Sequence, residues 1–294
     1  MTTHDSDQQV WFITGSSRGF GRALVESALE AGHRVVATAR TPEQLAEFVE
    51  RYGDRVATVA LDVTDASAAR AAVAEAVAHF GRIDVVVNNA GYANVAPIET
   101  GDDADFRRQF ETNFWGVYNV TKAAIPQLRA QGGGLVVQFS SVGGRVGGSP
   151  GIASYQAAKF AVDGFTRVLA VETAPFGIRT MVVEPSGFAT DWAGSSMEVH
   201  DIPAEYEATI GAMNARMRQT GSRPAGDPKR AAEIIVQAAA RENVPSHLLV
   251  GVNAVEMSLA YSKKQLAEAE AWEQVSRSAD FDQPYPVPQP ADAV

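Results

Sequence analysis

Near the N-terminus a strand-length run, Val10-Trp11-Phe12-Ile13-Thr14, passes without interruption into Gly15-Ser16-Ser17-Arg18-Gly19-Phe20-Gly21. The residues that follow, Arg22 to Glu30, place apolar side chains at helical spacing. Together they read as a strand, a tight glycine turn and a helix. The turn ends on a helix N-terminus, where the first N–H groups lack intrahelical partners and the dipole end is positive. Such a terminus binds phosphate. Gly15 can take a left-handed conformation, while Gly19 and Gly21 carry no side chain to block a pyrophosphate or close helix–strand packing. The spacing G-x-x-x-G-x-G differs from the commoner G-x-G-x-x-G, and its weight comes from the strand before it and the helix after it.

Strand and helix signals then alternate along the chain, the pattern of a parallel sheet covered on both faces. Strands are expected over 34–39, 56–61, 83–87, 135–139 and 178–183, with a short last one over 247–250. At 294 residues and 46% hydrophobic content, the chain can bury a substantial core as one large domain or two small ones. A net charge of −10 argues against a nucleic-acid surface, which needs clustered Lys and Arg. With no cysteine, disulfides, thiolate catalysis and Cys-based metal sites are excluded. The five histidines are scattered without metal-ligand spacing, so no metal is expected. No apolar run approaches the ~20 residues of a membrane span, and the first nine residues are polar and acidic, so a soluble, cytoplasmic protein is expected.

A second motif is Ser154-Tyr155-Gln156-Ala157-Ala158-Lys159. On a helix, a step of four residues puts the phenol of Tyr155 and the ammonium of Lys159 on one face. A cation there favours the phenolate and is expected to draw Tyr155 down from its usual value towards working range. Asn113 lies within a long helical stretch, an unfavourable place for asparagine unless it has a local role. Ser140 and Ser141 close the fifth strand, where a hydroxyl could donate to an oxygen on which charge develops.

Taken together, Thr14-Gly15-x-x-x-Gly19-x-Gly21, Asn88-Asn89-Ala90-Gly91, Asn113, Ser141, Tyr155 and Lys159 resemble the short-chain dehydrogenase/reductase family over about Val10 to Val250. The resemblance implies a single doubly wound, Rossmann-type α/β domain, its mainly parallel sheet flanked by helices on both faces. It would occupy residues 9–251, between a flexible tail at 1–8 and a C-terminal helix with a Pro-rich tail at 252–294. The resemblance also implies a nicotinamide dinucleotide and hydride transfer between it and a carbonyl or alcohol carbon. Ser141 would hold the substrate oxygen, Tyr155 exchange the proton, Lys159 support Tyr155 and grip the nicotinamide ribose, and Asn113 hold a water that refills the proton. Ser140 remains a contender, because Ser141 and Tyr155 are 14 residues apart, one more than in common relatives.

The glycine turn, with Ser17, Arg18 and Phe20, would hold the pyrophosphate, and Asn89, Ala90 and Gly91 would face the ribose. Asp62 and Val63 resemble the adenine contact, although Asp62 could instead cap the helix that follows. Pro185, Gly187, Phe188 and Thr190 are similar to the segment that packs on the nicotinamide, with Ser186 in place of a glycine. At the end of the second strand an acid would bind a ribose diol, but Ala39 stands there and Arg40 follows. Arg40 and Arg18 suit a 2′-phosphate, so NADPH is expected over NADH. Residues 191–223 are expected to form a substrate lid, with Tyr92, Phe188 and Trp192 walling a largely apolar ketone, aldehyde or alcohol. Pairing through the helices of Asn113 and Tyr155, as a homodimer or homotetramer, is implied by resemblance only. Two alternatives keep the same fold: a non-catalytic NADPH-sensing regulator, and a nucleotide-sugar epimerase or dehydratase.

Overall fold

A computed structural model describes residues 8–190, 197–220 and 226–290. Its centre is a seven-stranded sheet with strand order β3-β2-β1-β4-β5-β6-β7. The strands are β1 (Val10–Ile13), β2 (Arg34–Ala39), β3 (Val56–Ala60), β4 (Val85–Asn88), β5 (Gly134–Phe139), β6 (Ile178–Pro185) and β7 (His247–Val250). All six pairings are parallel. Parallel strands need crossovers, and helices supply them on both faces, which is why the strands are apolar on both sides.

Side chains along β1 alternate between two apolar layers. Trp11 and Ile13 face one, packed with Leu24, Ala28 and Leu29 of α1 (Gly19–Glu30) and Ile235 of α8 (Pro228–Ala239). Val10 and Phe12 face the other, packed with Ala69 and Val73 of α3 (Ala66–Phe80), Val120 and Leu128 of α5 (Gly116–Ala130) and Leu169 of α6 (Ala153–Thr173). The order of strands reverses between β1 and β4, so the connections that leave their C-terminal ends run to opposite faces of the sheet and open a crevice there. In open α/β sheets that crevice is where ligands bind.

The expected strands are present with small shifts: β4 starts at Val85 instead of Ile83, and β6 runs on to Pro185. The helical stretch around Asn113 is not regular. α4 (Asp103–Phe110) passes into α5 through a π-helical turn, Glu111–Trp115, with Asn113 fully buried at its centre. Such bulges recur at functional sites. Beyond β7, α9 (Val252–Ala271) and α10 (Glu273–Arg277) form the expected C-terminal helix, and only Ala254 and Ser258 of α9 are buried. Among the described residues the other α-helices are α2 (Ala46–Tyr52) and α7 (Ala212–Thr220). None of the helices among the described residues is long and apolar enough to cross a membrane.

Candidate active site

The glycine turn sits at the switch point, and each glycine is there for a steric reason. Gly15 and Gly19 have φ of +67° and +53°, in the left-handed region. A Cβ on Gly21 would run into the Gly15 carbonyl and lie 2.6 Å from Asn89 Nδ2. Ser16 ties the turn to β2, donating its N–H to the Thr38 carbonyl at 2.9 Å and accepting the Thr38 N–H at 3.2 Å. Thr14 Oγ1 accepts the N–H groups of Asn89 and Ala90 at 2.9 and 3.1 Å, and Asn89 Nδ2 donates back to the Thr14 carbonyl at 2.9 Å. The segment Asn89-Ala90-Gly91 is thereby fixed beside the turn.

α3, α4 and α8 each start on an aspartate that accepts their first N–H groups, Asp65, Asp102 and Asp227. The α1 N-cap is Arg18, which makes no such bond, and its first turn has no acidic residue. Those N–H groups and the positive dipole end are left for an anion, as a dinucleotide pyrophosphate requires. Phe20 and Phe188 meet edge to face with ring centroids 4.9 Å apart, and Gly19 lies against Thr190, so the 185–190 segment folds back over the turn. Arg18 and Arg40 are both exposed, and among the described residues neither pairs with a carboxylate. Asp62 does not cap α3. Its carboxylate accepts the N–H and the hydroxyl of Thr64, at 2.9 and 2.7 Å, while Asp65 does the capping. Neighbouring Val63 is buried.

The second half of the site forms at the ends of β4 and β5. Asn113 Nδ2 donates to the carbonyls of Tyr92 and Gln109, each at 2.8 Å, and Asn113 Oδ1 accepts the Tyr92 N–H at 3.1 Å. A Cβ on Gly91 would meet Asn113 Oδ1 at 2.5 Å and Lys159 Nζ at 3.5 Å, so Asn113, Gly91 and Lys159 converge. Lys159 Nζ donates to the Phe139 carbonyl at 2.6 Å and lies 5.6 Å from the centroid of the Tyr155 ring. The Tyr155 side chain is hydrogen-bonded to that of Ser141, whose Oγ also accepts the Gly143 N–H at 3.0 Å. Ser140 points elsewhere, its hydroxyl donating to the Lys159 carbonyl at 3.1 Å.

The electrostatics differ from the sequence expectation. Burial pushes the Tyr155 phenol up to about 12, with the Ser141 hydrogen bond pulling the other way. Burial also pulls the Lys159 ammonium down to about 8. Desolvation of a nearly enclosed phenol sets the direction at Tyr155, and the Lys159 ammonium donates to the Phe139 carbonyl.

Over Tyr155 lies an apolar cluster of Ala93, Val95, Ile152 and Ile210, flanked by Met197, Val199, Ile202, Tyr206 and Met217. The described part of the 191–223 segment thus covers the phenol. It is docked by a bridge between Val95 and Val199, and by Asn94, which accepts the Glu198 N–H at 3.0 Å and donates to buried Asp105 at 2.9 Å. Half-buried Tyr92 borders this site through Asn113. Phe188, expected in the substrate wall, instead packs beside Phe20 in the layer that also holds α1. Trp192 lies outside the described residues. Ala93, Val95 and Ile152 went unread in the sequence because each is an ordinary apolar residue in a loop or at a helix start.

Residues 9–200 match the family described as short chain dehydrogenase. The chain belongs to that family. Oxidoreductase BOA17 of Botryotinia fuckeliana is 48% identical over 269 residues, covering 91% of this chain and 98% of that protein. A short-chain dehydrogenase from Streptomyces avermitilis, 37% identical, superposes with a TM-score of 0.86 over 94% of this chain and 100% of its own. The 3-ketoacyl-(acyl-carrier-protein) reductase of Brucella melitensis, solved with NADH, is 27% identical with a TM-score of 0.69, covering 83% and 96%. The Rossmann-type sheet expected from the short-chain dehydrogenase motifs is the one found, and the family's NAD(P)-dependent carbonyl/alcohol chemistry comes with it.

Proposed function

We propose that this protein reduces the carbonyl of a largely apolar ketone or aldehyde with NADPH, and that Ser141, Tyr155 and Lys159 act on the substrate oxygen. The observation that carries the reading is one contiguous site: an uncapped α1 terminus at the glycine turn, and beyond Gly91 a Ser141–Tyr155 hydrogen bond beside Lys159. The bound nicotinamide supplies the hydride. Ser141 Oγ, oriented by the Gly143 N–H, donates to the substrate oxygen as negative charge builds there. Tyr155 Oη gives that oxygen its proton, and a phenol held near 12 is protonated when needed. Lys159, charged below about 8, places its ammonium against the Phe139 carbonyl at the point where Asn113 and Gly91 meet.

The choice of NADPH rests on Ala39, Arg40 and Arg18. The Brucella relative holds NADH, so fold alone does not decide it, whereas two guanidinium groups with no acid beside them favour a 2′-phosphate. The cluster of Val95, Ile152 and Ile210 supports an apolar substrate. Phe106, Trp115, Phe160, Val168 and Val171 are at least 41% exposed along α4, the π turn and α6, which supports pairing of two copies there.

The test follows NADPH and NADH oxidation over a panel of apolar ketones and aldehydes. Tyr155→Phe is expected to cost about 10²–10⁴ in kcat with NADPH binding retained. Native turnover by that variant would remove Tyr155 from the proton step. An NADPH-sensing regulator would bind NADPH yet turn over no substrate in either form. Arg40→Ala is expected to weaken NADPH alone, and equal loss for NADH would end the phosphate argument.

A further inference from the structure

Glu184 is a carboxylate that the proposed reaction does not use. It sits in β6 directly before Pro185, and is only 1% exposed. Its Oε2 accepts a hydrogen bond from Arg145 Nε at 2.8 Å, while its Oε1 is buried with no hydrogen-bond partner among the described residues. Burial pushes the Glu184 carboxyl up, and Arg145 pulls it back. Buried ion pairs are poor stabilisers, because desolvation consumes most of the attraction and an apolar pair of similar volume serves as well. A half-satisfied buried carboxylate therefore needs another reason for being there.

The neighbourhood supplies one. Arg145 is the first residue after the short turn Val142–Gly144, which begins immediately after Ser141. The start of that turn is anchored by Ser140, whose N–H reaches the Val183 carbonyl at 2.9 Å and whose hydroxyl reaches the Lys159 carbonyl at 3.1 Å. At its last residue, a Cβ on Gly144 would lie 2.7 Å from Lys159 Cβ, so the backbone is pressed onto α6. At its exit the Arg145 side chain reaches across to the strand that continues into the 185–190 segment over the glycine turn. Further along this side of the sheet, His247 Nε2 meets Asp163 Oδ1 at 2.6 Å, and Arg167 Nε donates to Asp163 at 2.9 Å. Among the described residues, those groups give Glu184 no hydrogen bond.

We propose that Arg145 is a positioning residue: its ion pair with Glu184 braces the turn that carries Ser141 against the end of β6, fixing the Ser141 hydroxyl relative to Tyr155 and the cofactor side. The effect on turnover rests on the function proposed above; the bracing itself does not. Misplacing a group by about 1 Å can cost on the order of 10²-fold in rate.

The experiment compares native protein, Arg145→Met and the double variant Arg145→Met/Glu184→Met, with NADPH present. It reads amide hydrogen exchange, thermal unfolding and steady-state kinetics. Arg145→Met is expected to speed exchange at Gly143 and Gly144 at least ~10-fold with the β5 amides unchanged, and to lower kcat by ~10–100-fold with KM within about twofold. The double variant, free of a buried unpaired charge, is expected to regain Tm while kcat and the fast exchange stay as in the single variant. Should Arg145→Met fail to fold, the double variant carries both readouts. Native exchange at Gly143 and Gly144 in either variant, or kcat recovering together with Tm, would overturn the proposal. Absence of turnover by the native protein would instead strike the functional reading, and the exchange arm would still decide the brace.

Discussion

Replacing Lys159 with methionine should make the ligand-free protein more stable while abolishing its activity. Burial brings the ammonium from its ordinary 10.5 down to about 8. At about 1.4 kcal/mol per tenfold change in proton affinity, keeping that charge buried at neutral pH costs the fold about 3 kcal/mol. Methionine fills similar volume without the charge. Against this stands the hydrogen bond from the ammonium to the Phe139 carbonyl at 2.6 Å, whose loss costs about 1.5–3 kcal/mol. The net expectation is a gain of up to about 1.5 kcal/mol at pH 7, or a few degrees in Tm.

The pH dependence gives this prediction its sign. Below about 8 the lysine is charged in both folded and unfolded chains, so the full cost is present. Between about 8 and 10.5 the unfolded chain holds a proton that the folded one has lost, so raising the pH stabilises the native protein. The advantage of Lys159→Met should therefore shrink through that window and change sign before its upper end, where only the lost hydrogen bond to the Phe139 carbonyl remains. Tyr155, raised to about 12 from an ordinary 10.0, lowers stability only above about pH 10, and does so in both proteins. Urea unfolding of cofactor-free native and variant protein at intervals from about pH 6 to 10 measures the difference. A variant less stable at pH 7, or a difference that does not change with pH, would refute the reasoning.

Three further outcomes follow from packing. Gly21→Ala forces a methyl group onto the Gly15 carbonyl and Asn89, and should reduce NADPH affinity at least ~10-fold by isothermal titration, as the turn must open. Asn113→Ala removes the partner of the Tyr92 N–H and of two carbonyls, and should cost about 2–4 kcal/mol in denaturant unfolding. Ile210→Ala should cost about 2–4 kcal/mol and raise KM for apolar substrates more than it lowers kcat, since Ile210 lies in the cluster covering Tyr155.

Much of the site could be read in the residues because its constraints are local. Gly15 and Gly19 are needed where φ is positive, the Tyr155–Lys159 step follows from helical periodicity, and an asparagine out of place marked the π turn at Asn113. Strand order β3-β2-β1-β4-β5-β6-β7 is one of the few that parallel crossovers of one hand permit, and the tertiary structure selects it. What no local pattern carried was the enclosure of Tyr155. Its upward displacement comes from burial, to which segments far apart in the chain, those of Val95 and Ile210, contribute by packing with one phenol. Nor could spacing foretell that Phe188 turns towards Phe20, or that Arg145 meets Glu184 across 39 residues. Periodicity and backbone sterics act between near neighbours and are written in the order of residues. Desolvation and charge pairing depend on which surfaces meet, and only the folded chain decides that.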